Sequence, residues 1–229
     1  MTDWFPVSKG RSGALVWRGD GVYRKDGPPA DIAAEAARLT WLAGQGFPCP
    51  AVADHTPGRL ITTALPGRAG DDPGWPAAMR PKLAAGLGQL LRALHALPIE
   101  GCPFDHTLTQ TIAAAEHHAH TGQVDLTNLD PAHTGWSADR LLRQLHETRP
   151  ADEDLVVGHG DPTRSNVLFT DDGSPTGVLD VARLGVADRH NDLAIATRSV
   201  GSADVLAAYG LSRPDPAKIA FYRLLDEFF

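Results

Sequence analysis

Residues 156–169 read VVGHGDPTRSNVLF, two apolar runs around a loop dense in polar groups. The runs are short, β-branched and bounded by turn residues, so they are read as buried strands. Between them stand His159, Asp161 and Asn166. A loop closed by two strands puts the Asp161 carboxylate and the Asn166 amide on one rim. A turn, DDGSP, and a further strand, TGVLDV, follow, and that strand ends on Asp180. A carboxylate closing an apolar strand is costly unless it is paired or holds a cation. Magnesium takes carboxylate, amide, water and phosphate oxygens, which Asn166 with Asp180 would begin to supply. The D-x-x-x-x-N spacing alone is common; strands on both sides and a strand-terminal aspartate make it more specific.

Working outward, residues 1–65 read as a small sheet with one helix. Ala14–Trp17 and Val22–Arg24 are β-prone runs separated by a Gly-Asp-Gly turn. In ADIAAEAARLTWLAGQG, Ile32, Ala36, Leu39 and Leu42 recur at helical spacing, with Gly44 or Gly46 near the stop. CPAVADHTPGRLITTAL offers two more strands around a Pro-Gly turn. Residues 66–76, PGRAGDDPGWP, are the predicted hinge between lobes. Residues 77–229 then form a larger, mainly helical lobe. Its helices include 79–97, with Leu83, Leu87, Leu90, Leu91 and Leu94 in register, and the closing PAKIAFYRLLDEFF. Residues 107–148 are read as helical, broken near DLTNLDPAHTGWS. The fold class expected is α+β in two lobes.

Lys and Arg number 21 against 28 Asp and Glu, a formal charge of −7. That balance argues against a nucleic-acid partner and favours a cationic small molecule, although it also serves plain solubility. Cys49 and Cys102 each precede proline and lack metal-ligand spacing, so they read as buried thiols in a reducing compartment. No secretion signal and no long apolar run is visible, so a cytoplasmic protein without membrane contact is expected. His117, His118 and His120 suit a solvated helix face better than zinc.

The stretch HGDPTRSN…VLDVARLGVADRHNDLA, within residues 159–194, resembles the signature of the aminoglycoside phosphotransferases, which are similar to small protein kinases. DWFPVSKGRSGALVW near the start, CPFD at 102–105 and the terminal AFYRLLDEFF extend the resemblance over nearly the whole chain. It implies a two-lobed, protein-kinase-like fold, ATP and Mg2+ as cofactors, an aminoglycoside as the small-molecule partner, and a monomer. Residue by residue, it makes Asp161 the catalytic base, and Asn166 and Asp180 the magnesium ligands. Lys25 would contact the α- and β-phosphates, with Glu35 pairing to hold it. Ser12 in GRSGA would donate to the β-phosphate, and Thr63 and Leu65 would sit in the stretch that meets adenine. Arg183 would lie near the phosphates or brace the loop, with His159 and Asp188 orienting it. Asp226, Glu227 and the Phe229 carboxylate would receive substrate ammonium groups.

Each of these residues also has a plain reading. Lys25 could be a solvated turn lysine, Glu35 an exposed helix residue, GRSGA an ordinary hairpin turn and Asp226–Phe229 a solvated helix end. Asp161 has no comparable structural role. The chain departs from its relatives at Arg164, inside the loop, and is shortened after Lys25 and near RSVGSADVLAAYG. DWFPVSKGRSGALV, HGDP and ITTALPG look like streptomycin 3''-kinases, whereas FYRLLDEFF looks like kanamycin 3'-kinases. The expectation leans to streptomycin. The alternatives are a kanamycin or neomycin 3'-phosphotransferase, another small-metabolite kinase, and a nucleotide-binding module without catalysis.

Overall fold

The computed structural model describes residues 3–7, 14–199, 202–211 and 213–229. In the first lobe β1 (Phe5–Val7), β2 (Leu15–Arg18) and β3 (Val22–Asp26) precede helix α1 (Pro29–Gly44). Strands β4 (Val52–Thr56) and β5 (Arg59–Thr63) complete an antiparallel sheet in the order β1-β2-β3-β5-β4. β2 and β3 start and end within two residues of the predicted runs. α1 begins at a proline pair, where a missing N–H costs nothing, and it turns Ile32, Ala36, Leu39 and Leu42 into the core. Burial of each of the three larger side chains, Ile32, Leu39 and Leu42, contributes roughly 1.5–3 kcal/mol.

Residues 66–76 hold a feature that their Pro/Gly-rich composition hides. Arg68–Ala69 forms β6, which pairs with Phe169 and Leu168 of the second lobe. Gly67 enters that strand at φ 112°, and a Cβ there would lie 2.6 Å from the Phe169 carbonyl oxygen. The segment thus belongs to the sheet beneath the polar loop, and only glycine admits so close an approach.

In the second lobe α2 (Arg80–Leu94), α3 (Leu108–Thr121) and α4 (Ala138–Glu147) precede β7 (Leu155–Gly158). Hairpin β8 (Val167–Phe169) and β9 (Pro175–Val178) follows, then β10 (Gly185–Asp188), α5 (Arg189–Ser199), α6 (Ser202–Tyr209) and α7 (Pro216–Leu225). β7 pairs antiparallel with β10, and β6-β8-β9 form a second small sheet. The polar loop therefore leaves one sheet at Gly158 and enters the other at Val167. Two cores support it. One joins α1, α2, the strands and α6; the other joins α3, α4 and α7 with Ala194 of α5.

α5 escapes the helical pattern because His190 through Thr197 are all buried. A helix covered all round shows no polar stripe. The histidines on α3 are not simply a solvated face. His117 and His120 are exposed, but His118 Nδ1 lies 2.7 Å from the Phe228 carbonyl oxygen. Among the described residues no group of three or more His, Cys, Asp or Glu side chains is arranged to hold a metal. Both cysteines are free and half-buried, and burial pushes the Cys49 thiol up to about 11. No described helix is long and apolar enough to cross a membrane.

Candidate active site

The loop is fixed from behind before it presents anything forward. His159 is fully buried, and its Nε2 lies 3.0 Å from the Leu179 carbonyl oxygen. Nε2 must therefore carry the proton, which leaves Nδ1 to accept the Asp161 N–H at 3.2 Å. One imidazole thus ties the loop to the end of the neighbouring hairpin. Gly160 adopts φ 87°, and a Cβ on it would fall 2.3 Å from the Arg183 Cβ. No side chain fits there.

Asp161 and Asn166 then meet at the rim. The Asn166 amide donates to the Asp161 carbonyl oxygen at 2.9 Å and to its carboxylate at 3.0 Å. With Nδ2 so engaged, the amide oxygen is turned away from Asp161. Burial pushes the Asp161 carboxyl above its ordinary range, against the pull of the Arg183 guanidinium. A group of this kind is readier to take a proton than a solvated aspartate.

Asp180 follows β9 at φ 52°, the sole non-glycine residue with positive φ among those described. Strain of that kind persists where the surroundings enforce it. The Leu179 N–H donates to the Asn166 carbonyl oxygen at 2.8 Å, which sets Asp180 beside Asn166. Its Oδ1 lies 3.4 Å from Lys25 Nζ, which arrives from β3 in the other lobe. Lys25 is itself 2.7 Å from Glu35 Oε2, and Glu35 is only 7% exposed. Burial works against the Lys25 ammonium, but the Glu35 and Asp180 carboxylates outweigh it and raise its pKa. The plain readings of Lys25 and Glu35 as solvated residues do not hold; they form a buried pair aimed at the rim.

The remaining expected residues lie at varied distances from this centre. Ser12 is outside the described residues. Thr63 is a sheet strut: its N–H donates to the Ala51 carbonyl at 2.9 Å, and its hydroxyl accepts the Ala51 N–H at 3.0 Å. Ala64 N–H is likewise engaged, by the Gly21 carbonyl, so Leu65 is the next residue past the sheet. Arg183 braces the loop, with Nη1 3.1 Å from Asp226 Oδ1 and its guanidinium 5.0 Å from the Phe229 ring centre. Asp226 is also paired with Arg198. Glu227 is turned inward, accepting the Asp130 N–H at 3.0 Å and lying 2.7 Å from His133 Nδ1. Phe229 is exposed beside His118.

Of the two buried aspartates after β10 begins, Asp188 meets Asp154, His190 and Lys218 and not the loop, whereas Asp192 holds the loop's back. Burial opposes charge on Asp188, yet bonds from His190, Lys218 and the Asp154 N–H bring its pKa to about 2. Asp192, which sequence reasoning missed, accepts the N–H groups of His159 at 2.7 Å and Gly160 at 2.8 Å. Its signal was faint: a carboxylate four residues after Asp188, at the end of the polar run DRHND and just before the apolar LAIA.

A rim carboxylate beside an amide and a cation bridging two lobes suit phosphoryl transfer to a hydroxyl. Comparison with known proteins agrees. The model of the phosphotransferase enzyme family matches residues 4–222. An aminoglycoside 3'-phosphotransferase of Streptomyces fradiae is 43% identical, over 99% of this chain and 95% of that protein. A streptomycin 3''-kinase of Streptomyces griseus is 35% identical, over 98% and 91%. The solved structure of an aminoglycoside phosphotransferase, APH(3'')-Id from Streptomyces rimosus, in complex with ADP and streptomycin, superposes with a TM-score of 0.84. It is 27% identical and covers 98% of this chain and 92% of its own. The two-lobed, kinase-like chain therefore belongs to the phosphotransferase enzyme family, among its aminoglycoside O-phosphotransferases.

Proposed function

We propose that the protein transfers the γ-phosphoryl group of ATP to the 3'-hydroxyl of a polyamine aminoglycoside of the kanamycin and neomycin type. The observation that carries this reading is the rim itself: Asp161 joined to Asn166 at 3.0 Å, opposite Lys25 and Asp180 at 3.4 Å. Asp161 accepts a hydrogen bond from the acceptor hydroxyl and aims its oxygen at phosphorus. As the new O–P bond forms and the bond to ADP breaks, the hydroxyl proton passes to the Asp161 carboxylate. The raised affinity of that buried carboxyl for a proton suits it to the step. Lys25, steadied by Glu35, takes the α- and β-phosphate oxygens, and Ser12 is assigned to the β-phosphate. Leu65 is assigned to adenine through its backbone.

The Asn166 amide oxygen and the Asp180 carboxylate are hard donors that fit magnesium, with phosphate and water to complete the shell. When bound, that ion neutralises charge on the phosphate oxygens. On the acceptor side Asp226 is assigned to substrate ammonium groups. Asp226 exchanges its arginine partners for them, while Glu227 holds the Asp130–His133 turn in place.

The ranking of acceptors differs from the sequence expectation. DWFPVSKGRSGALV and HGDP favour streptomycin, but full-chain likeness favours the 3'-phosphotransferases. The streptomycin 3''-reading remains the second, supported by those motifs and by the streptomycin-bound relative. Purified protein with ATP and magnesium, offered kanamycin, neomycin and streptomycin, tests both. Phosphate on the kanamycin 3'-oxygen, located by phosphorus–proton NMR and lost in Asp161→Asn, is the expected result. Transfer to streptomycin alone reverses the ranking. Transfer to none of them, or full turnover by Asp161→Asn, removes the reading.

A further inference from the structure

Behind the reaction centre runs a line of hydrogen bonds that the transfer itself does not use. It begins at Asp192, 1% exposed, whose carboxylate receives both loop N–H groups and also His95 Nε2 at 2.9 Å. His95, the residue that caps the C-terminus of α2, has a side chain only 3% exposed. Its Nδ1 lies 2.8 Å from the Tyr209 hydroxyl of α6. That hydroxyl accepts from Arg189 Nη1 at 3.2 Å, and Arg189 Nη2 donates to Asp154 at 2.8 Å.

The directions of these bonds follow from the chemistry of the groups. Asp192 can only accept, so His95 Nε2 donates to it, and in the neutral ring Nδ1 is then the acceptor. The Tyr209 hydroxyl must then donate to Nδ1, and Arg189 donates to Tyr209. The three bonds from Arg189 through Tyr209 and His95 to Asp192 therefore point the same way, from a cation near the surface to a carboxylate beneath the catalytic loop. Bonds aligned in this manner strengthen one another.

We propose that His95 is a positioning residue for phosphoryl transfer, acting through Asp192 on the Gly160 and His159 amides and so on the aim of Asp161. Without His95 the fully buried Asp192 carboxylate would keep only its two amide donors, and a buried acceptor position would go unpaired. His95 is a third donor, on the same Oδ2 that receives the His159 N–H, and Tyr209 fixes which ring nitrogen donates. The placement of Asp161 is thus decided partly by residues on α2 and α6 that never meet substrate. A misplacement of about 1 Å at the reacting atoms costs on the order of 100-fold in rate. This rests on Asp161 being the reacting carboxylate.

The setting allows a direct test. His95 and Tyr209, with Arg92, Ala96, Arg189, Gly210 and Leu211, line a cavity of about 240 Å³ that opens to solvent. In His95→Gly that cavity gains the volume of the lost ring, room enough for free imidazole, since engineered cavities of about 150 Å³ admit benzene. The variant is expected to lose about 10- to 100-fold in kcat with both KM values within about 2-fold, the signature of lost transition-state alignment. Imidazole restores kcat because it donates to Asp192 and accepts from Tyr209. 1-Methylimidazole, which has no N–H, does not. An unchanged kcat, or equal rescue by both compounds, overturns the proposal.

Should the glycine variant fail to fold, His95→Gln and His95→Leu replace it. Glutamine keeps an N–H for Asp192 and retains more kcat than leucine; equal values overturn the idea. Asp161→Asn in the same assay separates the two readings. Full turnover there defeats the role of Asp161 itself, whereas its inactivity beside indifferent His95 variants defeats only the positioning role.

Discussion

Asp161 is held half-buried by groups that serve its aim more than its comfort as an anion. Its carboxyl pKa is raised by burial, with Arg183 offsetting only part of that cost. The sign of the resulting linkage is fixed. An unfolded aspartate titrates near 3.9, so below that value both states are protonated and the cost vanishes. Above the raised folded pKa the ionised form is disfavoured and the cost is complete. Asp161→Asn should therefore melt at a higher temperature than the parent at pH 7. The gap should close as the pH falls toward 4. Asparagine can still accept from the Asn166 amide, so the comparison isolates the charge. Paired thermal melts from pH 4 to pH 8 measure it, and a variant less stable than the parent at pH 7 refutes it.

Among the elements, the α2–α6 seam shows how a sequence can state a helix and hide its partner. The leucines of α2 announce a buried face, and Leu83, Leu87, Leu90, Leu91 and Leu94 do fill the core. Gly86 and Gly88 look like weaknesses in that helix, worth about 1 kcal/mol each against alanine. They are contact points. A Cβ on Gly88 would stand 2.2 Å from the Val205 carbonyl oxygen of α6, and one on Gly86 would stand 3.0 Å from the Phe169 ring. Gly88→Ala should thus destabilise the fold by about 2–3 kcal/mol despite its better helix propensity. Denaturant titration measures this, and a neutral or stabilising result would mean that α6 can move aside.

The same seam explains what the sequence left illegible. Strand–loop–strand at Val156–Phe169, the hairpin ending on Asp180 and the strongly periodic α1 and α2 were all readable, because each carries its own period or turn. β6 was not, since its pairing is with a strand a hundred residues away. α5 was not, since burial on every side erases periodicity. Asp192 was missed for a related reason: its partners, His95 and two backbone amides, come together only in three dimensions.

At the scale of the molecule, the lobes are joined by side chains as well as by the segment 66–76. Arg38 and Trp41 of α1 donate to the carbonyls of Leu184 and Gly101, and Val178 N–H donates to Pro48. Lys25 adds the one link that nucleotide would use, standing between Glu35 in its own lobe and Asp180 in the other. Its loss has two consequences that a single substitution confuses. Lys25→Met strands a carboxylate that is 7% exposed, which costs about 3 kcal/mol when a buried pair is broken on one side. On the proposed reading it also removes the cation for the phosphates. Lys25→Met with Glu35→Leu separates them, because replacing both members of a buried pair by apolar groups is often neutral or stabilising. The double variant should regain the parent melting temperature without nucleotide. It should lack most of the stabilisation that ATP gives the parent, which is about 2.7 kcal/mol at a hundredfold excess over Kd. Melting curves with and without ATP and magnesium read both quantities. A double variant that ATP stabilises as fully as the parent would take the phosphate-binding role away from Lys25.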